Sequence, residues 1–255
     1  SGGTRASRLA GQLGKRVAVA EEYRIGGTCV VRGCIPKKLL VYASEYPRHF
    51  SDAAGFGWTV EWARFDWPTL RDNVQKEVSR LSGIYQANLE KSGAEIIEDR
   101  AEIIGPNVVH LVRSGRTLTA ERILVATGGR VVRPTFKGAE HVITSEEAFT
   151  LDRLPERVAV IGGGYIALEF AQIFHGLGAD TALIYRGEKI LRGFDDDLRT
   201  HVQTELERAG MKVVTQAVIS EVTREAEGFA VRFANGQVVH VDLVMAAIGR
   251  APNVE

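Results

Sequence analysis

Apolar and polar positions along this chain switch repeatedly between a helical and a strand period. A glycine-rich start leads into a helix over residues 3–14. The apolar run at residues 15–20 (KRVAVA) is a short strand ending at Glu21 and Glu22. A helix follows through Leu39, Leu40 and Tyr42, and residues 51–67 are aromatic and irregular, with Phe56, Trp58, Trp62, Phe65 and Trp67. Pro68 opens a long helix to about Ser92, with Leu70, Val74, Val78, Leu81 and Tyr85 at helical steps. Residues 99–120 alternate and carry turn signals at Gly105-Pro106-Asn107 and Ser114-Gly115, which predicts a small antiparallel meander. Ile123-Leu124-Val125-Ala126 reads as a buried strand closing on Thr127-Gly128-Gly129.

A second unit begins after Pro134. It is predicted to contain a strand at 157–161, a turn at 162–164, a helix at 165–177 and a strand at 181–185. A helix near 196–209, a strand at 212–215 and further strands to Ile248 complete it. Strand and helix in alternation imply an α/β fold with parallel sheets. The glycine-rich strand-to-helix turns read as two Rossmann-like dinucleotide-binding domains, at 1–129 and 130–255, each with a small antiparallel meander.

Composition narrows this picture only slightly. The 32 basic and 32 acidic residues balance, so no charge surplus points to nucleic acid. Apolar residues make up 45%, an ordinary globular share, and no apolar run approaches the roughly 18 residues of a membrane span. Two cysteines are too few for a secreted disulfide framework and fit a reducing compartment, which points to the cytoplasm.

Those two cysteines, Cys29 and Cys34, are separated by four residues. Positions i and i+5 do not stack on one helix face, but a kinked first turn can bring the sulfurs together. A helix N-terminus also favours a thiolate. Spacing alone leaves a redox pair and two buried apolar fillers both open. The second chemical signal is Gly162-x-Gly164-x-x-Ala167, directly after a strand and opening a helix. The first glycine allows the tight turn, the second lets a pyrophosphate approach the backbone, and the small third residue lets helix and strand pack. An NAD site would place an acid about 20 residues on, to hold the ribose 2′-hydroxyl. This chain has Arg186 after Leu183-Ile184-Tyr185, and then Arg192. Guanidinium suits a 2′-phosphate, so NADPH is expected over NADH. Either arginine taken alone is equally a solvated surface charge.

The segment GGTCVVRGCIPKK (residues 26–38) resembles the active-site segment of the flavin-dependent pyridine nucleotide–disulfide oxidoreductases, and the resemblance runs the length of the chain. Within that family it is most similar to the members that reduce glutathione disulfide with NADPH. The resemblance implies FAD and NADPH as cofactors and a Cys29–Cys34 redox disulfide, with Cys34 against the flavin and Cys29 attacking glutathione disulfide. It implies FAD contacts at Ser1, Gly2, Gly3, Glu21, Gly27, Thr28, Cys29, Thr127 and Gly128. It also implies a Lys37–Glu169 pair near the flavin, where a lysine favours negative charge developing on reduced flavin. Tyr165 matches an aromatic that covers the nicotinamide site. Gly162, Gly164, Ile166, Glu169, Arg186, Arg192 and Gly249 fall on NADPH positions, and Ser1, Arg8 and Tyr85 on glutathione-disulfide positions. No metal is implied. The rivals are a dihydrolipoamide, mercuric or trypanothione reductase, or a non-catalytic NADPH-binding module. Arg186 and Arg192 disfavour the first of these and Arg8 the trypanothione enzyme. The dithiol argues against a pure binder.

One departure is small: after residues 126–130 the family usually continues with proline, and here Val131 stands there. Others are larger. The family's general acid is a histidine paired with a glutamate, supplied by the other subunit of a homodimer. None of His49, His110, His141, His175, His201 or His240 has a His-Pro…Glu context. The first strand of the FAD-binding sheet and an interface domain are also not found, so a fragment truncated at both ends is expected. Expressed as written, the 255 residues should purify without FAD and without turnover of glutathione disulfide. An absorbance spectrum and a reductase assay check this, and a yellow, active product would contradict it.

Overall fold

In the computed structural model of the protein, residues 2–254 are described. Ser1, an expected cofactor and substrate contact, lies outside them. Chain contacts define two units. The first comprises Ser1–Pro36, Gln75–Gly129 and Pro252–Glu255, and the second Lys37–Val74 and Arg130–Ala251. Residues 37–74, which precede the boundary expected at 129/130, pack with the second unit.

Helix α1 (Gly2–Gln12), strand β1 (Val17–Ala20), helix α2 (Gly27–Arg32) and the start of α3 (Cys34–Ala53) open the first unit. Most of α4 (Trp67–Lys91) follows, then β2 (Ala94–Ile97) and a meander of β3 (Ala101–Gly105), β4 (Val108–Leu111) and β5 (Thr117–Thr119). Strands β1 and β2 pair in parallel from Val17↔Ala94 to Ala20↔Ile97. The meander is antiparallel, as the turn residues predict. The buried Asp99 accepts from the backbone N–H of Arg113 (2.7 Å) and Ser114 (2.9 Å), which fixes the β4–β5 turn. At the start of α4, Asp66 accepts from the N–H of Thr69 at 2.9 Å and Pro68 needs no partner for its nitrogen, so the helix begins where the sequence places it. Val78, Leu89 and Leu111 are buried in this unit's core.

The expected strand at 123–126 does not form. Residues 122–128 lack regular structure, and Leu124 and Val125 are exposed. An apolar run becomes a strand only when its N–H and C=O groups find a ladder. Among the described residues no strand pairs with this one.

In the second unit, β6 (Gly129–Val131) is followed by β7 (Ile143–Thr144), α5 (Ser145–Ala148), β8 (Arg157–Ile161), α6 (Tyr165–Gly176), β9 (Asp180–Ile184), α7 (Asp196–Arg208) and β10 (Lys212–Val214). Strands β11 (Ile219–Arg224), β12 (Phe229–Phe233), β13 (Val238–Val241), β14 (Leu243–Ala246) and β15 (Arg250–Pro252) complete the chain. A five-stranded sheet runs β10-β9-β8-β14-β7, every pair parallel. Strand β8 lies at its centre, and Val158, Ala159 and Val160 are fully buried, so its sequence is continuously apolar and does not alternate. The antiparallel sheet β11-β12-β13 lays Val222, Val231 and Val241 into a core with Ala159, Ile184 and Val244 of the parallel sheet. Parallel sheet plus meander thus recurs in both units, the α/β architecture expected.

Two ties hold residues 37–74 to this unit. Trp67 Nε1 donates to the carbonyl of Leu151 at 2.7 Å. Helix α3 crosses α6 so closely that a Cβ on Gly176 would stand 2.5 Å from the carbonyl oxygen of Ser44. Among the described residues no helix is long and apolar enough to cross a membrane.

Charge also shapes this unit. The guanidinium of Arg157 grips Asp242 at 2.6 Å and holds that carboxyl below its usual range, tying the entry of β8 to the β13–β14 turn. At α5, Thr144 and Glu147 form a capping box. Burial opposes ionisation of Glu147. Donation from Thr144 and from Arg133 outweighs it, so the pKa falls from 4.5 to about 2. A depressed carboxyl stabilises the fold fully above pH 4.5 and loses that contribution as pH falls through about 2. Glu147→Gln should therefore be less stable than the parent at pH 6, and the gap should close between pH 4.5 and 2. Urea midpoints across that range check this, and a gap independent of pH contradicts it.

Candidate active site

The cysteine segment takes its geometry from glycines. Gly26 has φ 132°, a conformation closed to most side chains, and it turns the chain directly into α2. Ser82 Oγ donates to the carbonyl of Ile25 at 2.6 Å and Arg24 donates to Ser79 Oγ at 2.8 Å, so α4 holds the approach to the segment. Helix α2 then breaks at Gly33 and α3 begins at Cys34. Gly33 has no room for a side chain, because a Cβ would lie 2.7 Å from the carbonyl oxygen of Thr28 and 3.2 Å from Cys29 Cα. The chain folds back over Cys29 at that point. Cys29 and Cys34 come to a Cα separation of 4.6 Å and are joined as a disulfide. An unbroken helix would have kept positions i and i+5 on different faces. Cys29 is half-buried and Cys34 exposed. Cys34 opens a 20-residue helix.

Elsewhere in the first unit, Gly2 and Gly3 open α1, and a Cβ on Gly3 would stand 2.9 Å from Ala126 Cβ. Glu21 follows β1, with its N–H on the carbonyl of Ile97 and its carboxylate accepting from the N–H of Tyr23 at 2.9 Å. Gly27, Thr28 and Cys29 form the first turn of α2. Thr28 Oγ1 lies 3.8 Å from where Gly128 would carry a Cβ, so these two expected flavin positions are neighbours. Thr127 Oγ1 donates to the carbonyl of Asn253, and the N–H of Asn253 donates to Gly128 at 3.0 Å. Arg8 is exposed on α1 and Tyr85 half-buried on α4.

The second unit presents the glycine turn. Gly162 has φ 142°, and a Cβ there would stand 3.0 Å from the buried Ala167 Cβ, which accounts for both small residues. Gly164 faces open space, the condition for close approach by a ligand to the backbone. Gly163 has a different reason to be glycine: a Cβ would lie 2.5 Å from the Tyr185 ring. Tyr165 and Ile166 begin α6, Tyr165 largely exposed. Arg186 and Arg192 are exposed and form no ion pair among the described residues. Gly249 has φ 140°, and its carbonyl accepts from the N–H of Val132 at 2.9 Å. Lys37 Nζ donates to Glu169 Oε1 at 2.7 Å, both side chains largely covered, joining residues 132 apart in sequence.

Gly33, Tyr185 and Arg199 of α7 have structural parts not expected from the sequence. Of these only Gly33, a glycine between two cysteines, carried a local signal. Gly33→Val should block the fold-back. Titration of the air-oxidised, denatured chain should then show two free thiols where the parent shows none, and an unchanged titre would contradict this account of the helix break.

The chain matches the family model described as pyridine nucleotide-disulphide oxidoreductase over residues 1–255. It is 48% identical over 253 residues to a glutathione reductase of Burkholderia cepacia, covering 99% of this chain and 56% of the relative. It is 42% identical over 257 residues to a glutathione reductase of Nostoc sp., covering 100% of this chain and 56% of the relative. With the chloroplastic/mitochondrial glutathione reductase of Pisum sativum it is 39% identical over 267 residues, covering 100% and 48%. The chain therefore spans about half the length of these curated relatives. The HOCl-induced flavoprotein disulfide reductase RclA from Escherichia coli, solved as such and as a Cu(II) complex, superposes with a TM-score of 0.86 at 24% identity. In the complex the match covers 99% of this chain and 55% of that one. This likeness bears on the fold alone.

Proposed function

The chain belongs to the pyridine nucleotide-disulphide oxidoreductase family, and from that premise we propose that the full-length protein reduces glutathione disulfide with NADPH through bound FAD and the Cys29–Cys34 pair. The disulfide carries the reading, because two cysteines five residues apart meet through a helix break at Gly33. The identity to three glutathione reductases supports the choice of substrate.

The residues suit the two cofactors. On this reading residues 1–129 are the FAD-binding domain and 130–255 the NADPH-binding domain. Open space beyond Gly164, the exposed Tyr165 at the start of α6, and two arginines without acidic partners among the described residues fit a nucleotide carrying pyrophosphate and 2′-phosphate. Gly162, Gly164, Ile166, Arg186, Arg192 and Gly249 would hold it, with Tyr165 over the nicotinamide. Gly2, Gly3, Glu21, Gly27, Thr28, Thr127 and Gly128 would hold FAD, and on this reading the exposed Cys34 would face it. The assignment of Lys37 and Glu169 to the flavin rests on the family resemblance.

When bound, FAD supplies the path by which an electron pair from NADPH reaches the disulfide. Two electrons and one proton open Cys29–Cys34 to a thiol and a thiolate. Cys29 Sγ attacks one sulfur of glutathione disulfide, a new S–S bond forms as the old one breaks, and one glutathione leaves as thiolate. Cys34 Sγ then attacks Cys29 Sγ, the second glutathione leaves, and the internal disulfide is restored. A Cα separation of 4.6 Å lies within the range of an ordinary disulfide, so this closing step needs no backbone rearrangement. Arg8, exposed and cationic on α1, suits the carboxylates of the substrate, with Tyr85 and Ser1 as its companions. The reading extends to a homodimer working in the cytoplasm, a reducing compartment consistent with the cysteine usage.

With the full-length protein, NADPH should reduce glutathione disulfide, and the two-electron-reduced form should show a long-wavelength charge-transfer band. Cys34→Ser should remove that band. A variant that keeps it reverses the roles of the two sulfurs, and NADPH affinity without flavin or turnover in the parent would favour a binding module instead.

A further inference from the structure

The loop after β9 carries both arginines, and it is anchored from outside the cofactor motifs. Tyr185 leaves β9 with its ring against Gly163, and Gly187 also lies against that ring, where a Cβ would stand 2.5 Å from Tyr185 Cε1. Ile190 and Leu191 are buried, and Leu191 has φ 54°, a conformation an L side chain holds only when its surroundings enforce it. In that conformation the N–H of Leu191 donates to the carbonyl of Gly163 at 2.6 Å, which ties the arginine loop to the glycine turn.

Arg199, in the first turns of α7, holds the two residues that precede Leu191. Its Nε donates to the carbonyl of Ile190 at 2.8 Å and its Nη2 to that of Lys189 at 3.0 Å. Its Nη1 pairs with Asp196 at 2.6 Å, and only 18% of the side chain is exposed. The charge of Arg199 is thus spent on two consecutive backbone carbonyls and one carboxylate. The next two residues are Leu191, held on Gly163, and Arg192, whose guanidinium has no partner among the described residues.

We propose that Arg199 is a positioning residue that sets the preference for NADPH over NADH, by fixing the loop that presents Arg192 to the 2′-phosphate. The inference rests on the reading of Arg186 and Arg192 as 2′-phosphate ligands. Two forked donors on adjacent carbonyls suit a planar guanidinium, and a lysine's single ammonium cannot reproduce the pair. NADH lacks the 2′-phosphate, so loosening this loop should leave its use unaffected.

The test is steady-state kinetics of the full-length enzyme with each nucleotide, for the parent, Arg199→Met and Arg199→Lys. Arg192→Ala serves as the benchmark for direct loss of a phosphate ligand. For Arg199→Met, KM for NADPH should rise about tenfold with kcat retained, the scale of one lost charged hydrogen bond. Turnover of NADH should stay within about twofold of the parent, well below that tenfold step, and should double as the check on folding. Arg199→Lys should fall between parent and Met, and it carries the same comparison if Met does not fold. Equal losses with both nucleotides would reduce Arg199 to a structural role, and an unchanged NADPH KM would overturn the proposal outright. A parent enzyme without preference for NADPH would sink the underlying reading of the two arginines, before any variant of Arg199 is made.

Discussion

The second unit depends on one buried strand. Val158, Ala159 and Val160 are closed off from water on both faces of the sheet, so β8 can end only in a sharp turn into α6. Gly162 makes that turn at φ 142°, where a Cβ would crowd Ala167, and Gly164 faces open space. The apolar core therefore sets where a ligand would meet backbone N–H groups. The neighbouring strand β9 delivers Tyr185 to the middle glycine and the arginine loop to its rim.

In the first unit the comparable constraint is steric and small. The missing Cβ of Gly33 lets the chain return over Thr28 and Cys29, and the two sulfurs meet across a break between helices. A hydrogen-bonded helix would be locally cheaper, but it would hold the cysteines apart. The segment gives up continuous helix to gain a disulfide with one partner at the opening of a long helix. The meeting of the two sulfurs thus rests on the absence of a side chain at one residue.

The elements with a strong local signal were legible. The periodic apolar positions of α4, the strand–turn–helix at 157–177 and the turn residues of the β3–β5 meander all form within a few residues of expectation. The run at 123–126 was misread because its apolar residues say nothing about whether a partner strand stands beside them. The grouping of residues 37–74 with the second unit was invisible for a similar reason. It rests on a Trp67–Leu151 hydrogen bond and a Ser44–Gly176 crossing between residues far apart in the chain.

By itself the sequence determined the α/β alternation, the glycine turn, the arginines in place of an acid, and the candidacy of Cys29 and Cys34. Each of these is written in neighbouring residues, whose spacing and chemistry need no distant partner. Only the tertiary structure decided that the cysteines meet, that Lys37 pairs with Glu169, and that Arg199 grips the loop carrying Arg192. Those contacts depend on directions in space, set by where a helix breaks and how closely two helices or loops can pack. Such directions accumulate over tens of residues, and no local pattern of residue types encodes them.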